Sequence, residues 1–137
     1  MWWTYALLSA FFAALTAVLA KVGITGVNSN LATAIRTVVI LVVAWGLVFF
    51  RNEQTGLATI TRQNLLFLVL SGIATGLSWI CYFKALQLGK VSQVAPVDKL
   101  SVAIAIVLSV VFLQEVLTLK IAIGALLIIA GTLVLIL

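Results

Sequence analysis

Apolar residues run along this chain in five long blocks, broken by short polar stretches. A helix crossing the hydrocarbon core of a bilayer needs about 20 mostly apolar residues. The blocks at about 3–22, 31–50, 64–88, 92–114 and 118–137 each meet that requirement. Lipid offers no partner to an unpaired backbone group, and the alternation of barrel strands is absent, so the blocks are predicted to be helices. The breaks carry turn chemistry. KVGITGVNSN separates the first pair, and RNEQTGLATITRQN forms one long polar loop. LGKVSQ and QEVLT are tight turns that make spans three to five antiparallel neighbours. The expected fold is an all-α integral membrane protein, with residues 1–137 as a single five-span membrane domain. MWWTYALLSAFF has no Lys or Arg ahead of its apolar run, which is too long for a signal-peptide core, so it reads as a retained span. Trp2, Trp3 and Tyr5 suit an aromatic belt at the interface.

Composition supports the same solvent. Of 137 residues, 65% are hydrophobic and 8% charged, where a soluble domain carries about a quarter charged residues. The chain has no histidine, three acids and one cysteine, so no metal site, cofactor or disulfide framework is expected. Cys81 reads as a small apolar residue. The net charge of +5 comes without a long basic run, which argues against a nucleic-acid partner. Enzyme chemistry is not expected either, because no paired carboxylates are available for acid–base work. Asp98 and Glu115 fall at opposite ends of one predicted helix, about 25 Å apart at 1.5 Å per residue.

Threading five spans sorts the charges onto two sides. One collects Lys21, Arg36, Lys84, Lys90, Asp98 and Lys99; the other collects Arg51, Glu53, Arg62, Glu115 and Lys120. Counting every Lys and Arg makes the first side cytoplasmic, whereas counting only those outside the spans weakly favours the reverse. Both orientations stay open, as they would for a chain that inserts both ways round.

Several charges lie inside the predicted spans. Arg36 is about 7 Å deep, Lys84 about 6 Å from the end of its span and Asp98 about 9 Å into the fourth. Long lysine stems can snorkel outward, so Lys84 and Lys99 are either interface anchors or pathway residues. Arg36 is flanked by Thr33 and Thr37 and is expected to face inward. Pro96 suits a helix start, and Asp98 is expected in the first turn, where a carboxylate meets the positive end of the helix dipole. An intramembrane acid also has a functional reading, as the partner of Arg36, Lys84 or Lys99, with Arg36 preferred. On the third span Ser71, Thr75, Ser78 and Tyr82 form one helical stripe with Trp79 and Phe83 beside it. That stripe either packs helices or lines a solute path with Trp79 as a wall. Gly72 and Gly76 form a GxxxG pair, and Ser101, Ala105 and Ser109 repeat every four residues, both packing signals.

From Tyr82 onward the chain resembles the EamA family of the drug/metabolite transporter superfamily. The resemblance rests on YFKAL (Tyr82–Leu86), Pro96, LQE (Leu113–Glu115), LT (Leu117–Thr118), and GALLIIAG with Gly124 and Gly131 at its ends. Arg36 also falls where that family commonly has an arginine. Gln114 departs from the usual glycine, and Asp98–Lys99 fits the family's short, single-repeat members. Typical members have ten spans, built as two five-span halves of opposite orientation around a central path. The resemblance therefore implies one repeat of an inverted-repeat permease, acting as an antiparallel homodimer on a small-molecule solute in a bacterial or archaeal plasma membrane. The related small multidrug resistance proteins bind protons and cations through an acid in their first span. WTYALLSAFFAALTAVLA contains none, so anionic or zwitterionic solutes are expected at the basic end. A non-catalytic membrane subunit, or half of a lipid-carrier flippase, is the alternative.

Overall fold

A computed structural model describes residues 1–137. Its elements are α1 (Trp2–Gly23), α2 (Ser29–Phe50), a 3-10 helix (Glu53–Thr59), α3 (Arg62–Leu88), α4 (Val91–Asp98), α5 (Leu100–Phe112) and α6 (Leu119–Ile136). There are five spans long and apolar enough to cross a membrane, the fourth made of α4 and α5 together. Their limits match the apolar blocks to within about two residues. Polar loop residues start the helices by satisfying N–H groups that have no carbonyl partner one turn back. Asn28 Oδ1 accepts from the N–H groups of Asn30 at 2.9 Å and Leu31 at 3.4 Å. Thr61 Oγ1 accepts from Asn64 at 3.1 Å, and Thr118 Oγ1 from Ile121 at 3.3 Å.

Few large side chains are enclosed. Phe83 and Leu86 are fully buried, while leucines, valines and phenylalanines on every span are open. That is the distribution expected where lipid tails are as apolar as the residues they meet. The chain divides into two compact units, Leu19–Gln87 and Met1–Val18 with Leu88–Leu137.

In the first unit the 3-10 helix folds back against α2. Asn52 makes the turn at φ 55°, a left-handed conformation that asparagine tolerates, and Arg51 reaches Glu53 at 3.9 Å.

In the second unit α4, α5 and α6 pack together, and the fourth span is broken. The helix begins at Val91, so Pro96 lies beyond its first turn and Asp98 is its last residue rather than a first-turn acid. Proline has no N–H, so it leaves the Ser92 carbonyl without an intrahelical donor and crowds it with its ring. Three residues later the bonding tightens. Lys99 N–H lies 3.3 Å from the Ala95 carbonyl and 3.0 Å from that of Pro96, and Val102 N–H bonds Lys99 at 3.0 Å. Thr132 on α6, 4% exposed, meets this elbow. Its hydroxyl lies 2.8 Å from the Ile128 carbonyl and 3.2 Å from that of Pro96. Non-helical backbone at membrane depth is tolerated only where protein or water supplies such partners.

The packing signals are used unevenly. A Cβ added at Gly72, Gly76, Gly124 or Gly131 would meet nothing within 4 Å, so no element of the chain closes on them. Ser101 and Ala105 are exposed, while Ser109 is half-buried and donates to the Ile106 carbonyl at 3.0 Å. The small residue enclosed on α5 is Ala103.

Gln114 follows the end of α5 at φ 54°. This is the left-handed position after a helix C-terminus, where glycine avoids a Cβ clash worth about 1–2 kcal/mol. Gln114→Gly is expected to raise the thermal midpoint in detergent, with a net gain of about 0.5–1 kcal/mol after glycine's larger unfolded-state entropy. Gln114→Val, β-branched at the same φ, should lower it. Thr132→Val, which keeps the shape and removes the hydroxyl, should destabilise by about 0.5–2 kcal/mol. Thr132→Ser should recover part of that loss.

Candidate functional site

The site forms within Leu19–Gln87, between α2 and α3. Trp79 and Phe83 are four residues apart and so share one face of α3. Arg36 on α2 sets its guanidinium carbon 5.1 Å from the Trp79 ring centroid and 4.7 Å from that of Phe83. Phe83 is 1% exposed and fixed in place. Tyr82 stands edge-on to it, centroids 6.3 Å apart at 70°, within electrostatic reach of Arg36. Arg36, Trp79 and Tyr82 are each half-buried.

Within this unit no carboxylate pairs with Arg36, since Glu53 joins Arg51. The ion pairs of the chain join Arg51 to Glu53 and Lys99 to Asp98. A cation over a ring gains about 0.5–1 kcal/mol when exposed and about 2 or more when desolvated. Insertion scales charge about 2.5–3.5 kcal/mol for an arginine at a helix centre. The two rings therefore offset much of the burial cost and leave the positive charge uncompensated, with the planar donor fork free of any anion.

Nearby lysines are engaged differently. Lys21 Nζ donates to the carbonyl of Leu86 in the last turn of α3, where helix carbonyls lack internal partners. Lys84 Nζ lies 3.4 Å from Gln87 Oε1, and Gln87 Nε2 donates to the Val27 carbonyl at 2.9 Å. These contacts bind the α1–α2 turn to the end of α3. The hydroxyls flanking Arg36 bond their own helix: Thr33 donates to Ser29 at 2.9 Å and Thr37 to Thr33 at 2.8 Å. A separate groove of about 420 Å³ is lined by Thr33, Ala34, Thr37, Leu41, Gly76 and Ile80, and Arg36 is not part of it.

Of the residues singled out in the sequence, the structure gathers Arg36, Trp79 and Tyr82. The polar stripe does not form one lining. Ser71, Thr75 and Ser78 are exposed, and Thr75 donates to Ser71 at 2.9 Å. The buried positions of α3 are Phe83 and Leu86 instead, with Trp79 half-buried beside them. Asp98 pairs with its neighbour Lys99 at 3.3 Å, and both belong to the other compact unit. Three contributors went unassigned at the sequence level. Phe83 was noted only as a ring beside the hydroxyl stripe, and Gln87 lay within the third span without a reading of its own. Thr132 carried a readable signal, being the one hydroxyl between Thr118 and the end of the chain.

Comparison with known proteins follows the same lines. The EamA-like transporter family model matches residues 1–137. A Sinorhizobium sp. protein named "Uncharacterized transporter in cobO 3'region" is 50% identical over 134 residues, covering 98% of this chain and 95% of the relative. An uncharacterized protein of Methanocaldococcus jannaschii is 38% identical over 77 residues, 56% of each chain. No solved structure matches.

The charge balance at Arg36 makes a stability prediction. Arg36→Met removes an uncompensated charge while keeping most of the side-chain volume. Its thermal midpoint in detergent should equal or exceed that of the parent, by up to about 1 kcal/mol in stability. A fall of several degrees would show that the rings hold the guanidinium for structural reasons.

Proposed function

The chain belongs to the EamA-like transporter family, and from that premise we propose that it is a permease for small anionic or zwitterionic metabolites, with Arg36 as the solute-binding residue. The observation that carries this reading is a positive charge set among three aromatic side chains, Trp79, Tyr82 and Phe83, with no acid paired to it. A guanidinium so placed offers a planar fork of donors to an incoming carboxylate or phosphate. Partial desolvation strengthens that attraction relative to water. Membership of a transporter family supports carriage across the membrane rather than chemical conversion.

The working unit we propose is an antiparallel homodimer. The Sinorhizobium relative is matched over 95% of its length, so it too has five-span size, and a solute path between two inverted five-span repeats is a general transporter design. The nearly balanced distribution of basic residues favours neither orientation strongly, as dual insertion requires. Open space above Gly72 and Gly76 leaves a GxxxG face of α3 available to another helix. The membrane proposed is the plasma membrane of a bacterium or archaeon, in keeping with the sources of both relatives.

Two measurements test these points. Proteoliposomes containing the protein should take up small organic anions in preference to organic cations, and Arg36→Ala should lower that uptake at least tenfold. Uptake that favours cations and survives the substitution would refute the solute class. C-terminal reporters should be active on both sides of the membrane, and activity on one side alone would refute dual topology.

A further inference from the structure

We infer that the end of the second span holds a zwitterionic phospholipid, with an acyl chain in the groove between α2 and the 3-10 helix and the headgroup on Arg51 and Glu53. The groove measures about 310 Å³ and is lined by Trp45 and Val48 of α2 and by Glu53, Gly56, Leu57 and Ile60 of the segment folded back on it. It lies within Leu19–Gln87, and Arg36 takes no part in it. Ligand sites span about 300–1,000 Å³, so a groove of this size takes a stretch of chain rather than a whole lipid. Trp45 lies five residues before the end of α2, about 7.5 Å along the helix, at the depth where tryptophan marks the boundary of hydrocarbon and headgroups. The fold-back carries Leu57 and Ile60 from the polar end of the span to that same depth, and both stay exposed there with Trp45.

Lipid tails cover any apolar face, and what distinguishes this one is the charge at its mouth. The 420 Å³ groove between α2 and α3 has no charged residue in its lining. Here Arg51 and Glu53 stand two residues apart, 3.9 Å from each other, with side chains 62% and 56% exposed. A pair so long and so exposed holds its partners weakly. The guanidinium keeps donors to spare, and the carboxylate keeps acceptor positions. A zwitterionic headgroup carries its phosphate next to the glycerol and its cation a few bonds further out. Phosphate on Arg51 and cation on Glu53 leave every charge compensated, while the chain below meets Trp45, Leu57 and Ile60. An anionic headgroup gains Arg51 but is opposed by Glu53, and a lipid without a headgroup leaves the ion pair as it was.

Gly56 provides a way to close the groove without disturbing its walls. It lines the groove, and a Cβ added there meets nothing within 4 Å, so Gly56→Phe places a ring in the space assigned to the acyl chain. The test adds lipids of identical acyl chains to the purified full chain in detergent and reads the bound lipid by native mass spectrometry. The probes are phosphatidylethanolamine, phosphatidylcholine, phosphatidylglycerol and diacylglycerol. The two zwitterionic lipids should be retained at least fivefold more than the other two, and Gly56→Phe should lower their retention at least fivefold. Glu53→Lys, which makes the mouth doubly positive, should reverse the preference towards phosphatidylglycerol. Equal or stronger retention of phosphatidylglycerol or diacylglycerol by the parent would overturn the inference, as would retention unchanged in Gly56→Phe or a preference unchanged in Glu53→Lys. Loss of a dimer in Gly56→Phe with lipid retention intact would assign the groove to a second copy of the chain instead. None of these outcomes bears on solute binding at Arg36.

Discussion

A hydrocarbon solvent gives a polar group nothing to bond, and most of the specific contacts in this chain answer that condition. Span hydroxyls turn back on their own helices, as Thr33, Thr37 and Thr75 do on the carbonyls four residues earlier. Lysine at the end of α1 closes a carbonyl at the end of α3, and Gln87 returns to Val27. Such contacts are individually modest, about 0.6 kcal/mol on average for hydrogen bonds between membrane helices. Their effect is to fix which ends of which helices lie together. Arg36 is the exception, since aromatic faces supply attraction without neutralising it.

The five spans were legible because the bilayer imposes a length and a composition that few other structures share. Helix starts were written as well, in Asn28, Thr61 and Thr118, though they read only as polar loop residues until the N–H groups they accept from were placed. The break in the fourth span was present in the letters and misplaced in meaning. Pro96 is compatible with a first turn or with an interior break, and its role depends on where the helix begins, the least certain quantity in a sequence reading. With the helix beginning at Val91, the proline lies past its first turn and makes a break three residues before Lys99. Gln114 was visible as a departure from glycine, and its left-handed φ supplies the physical reason glycine would suit that position.

The site was half legible for a related reason. Arg36, Trp79 and Tyr82 stand out because charge and large aromatic rings are scarce against an aliphatic background. Phe83 does not stand out, although it is the ring nearer to the guanidinium and almost fully enclosed. The serine and threonine stripe admitted two readings, helix packing or a solute wall, and Thr75 bonds its own helix. Hydroxyls bond readily to the backbone of their own helix, so a line of them at helical spacing carries little information about where solute passes. Which stripe of α3 is enclosed depends on its rotation about its own axis, and a span apolar nearly all round does not encode that rotation in its pattern.

The tie between Thr132 and Pro96 has a consequence for how the protein is made. The two residues are 36 positions apart, and the hydroxyl belongs to the last span. Ribosomal synthesis delivers the fourth span to the membrane before the last one exists. With only eight residues, α4 is too short to cross by itself, so the insertion machinery must accept Val91–Phe112 as one segment. The elbow carbonyl then waits, hydrated or bonded along its own helix, until α6 arrives. The Thr132 bond is thereby a late contact, added to a break that Pro96 already imposes on its own helix.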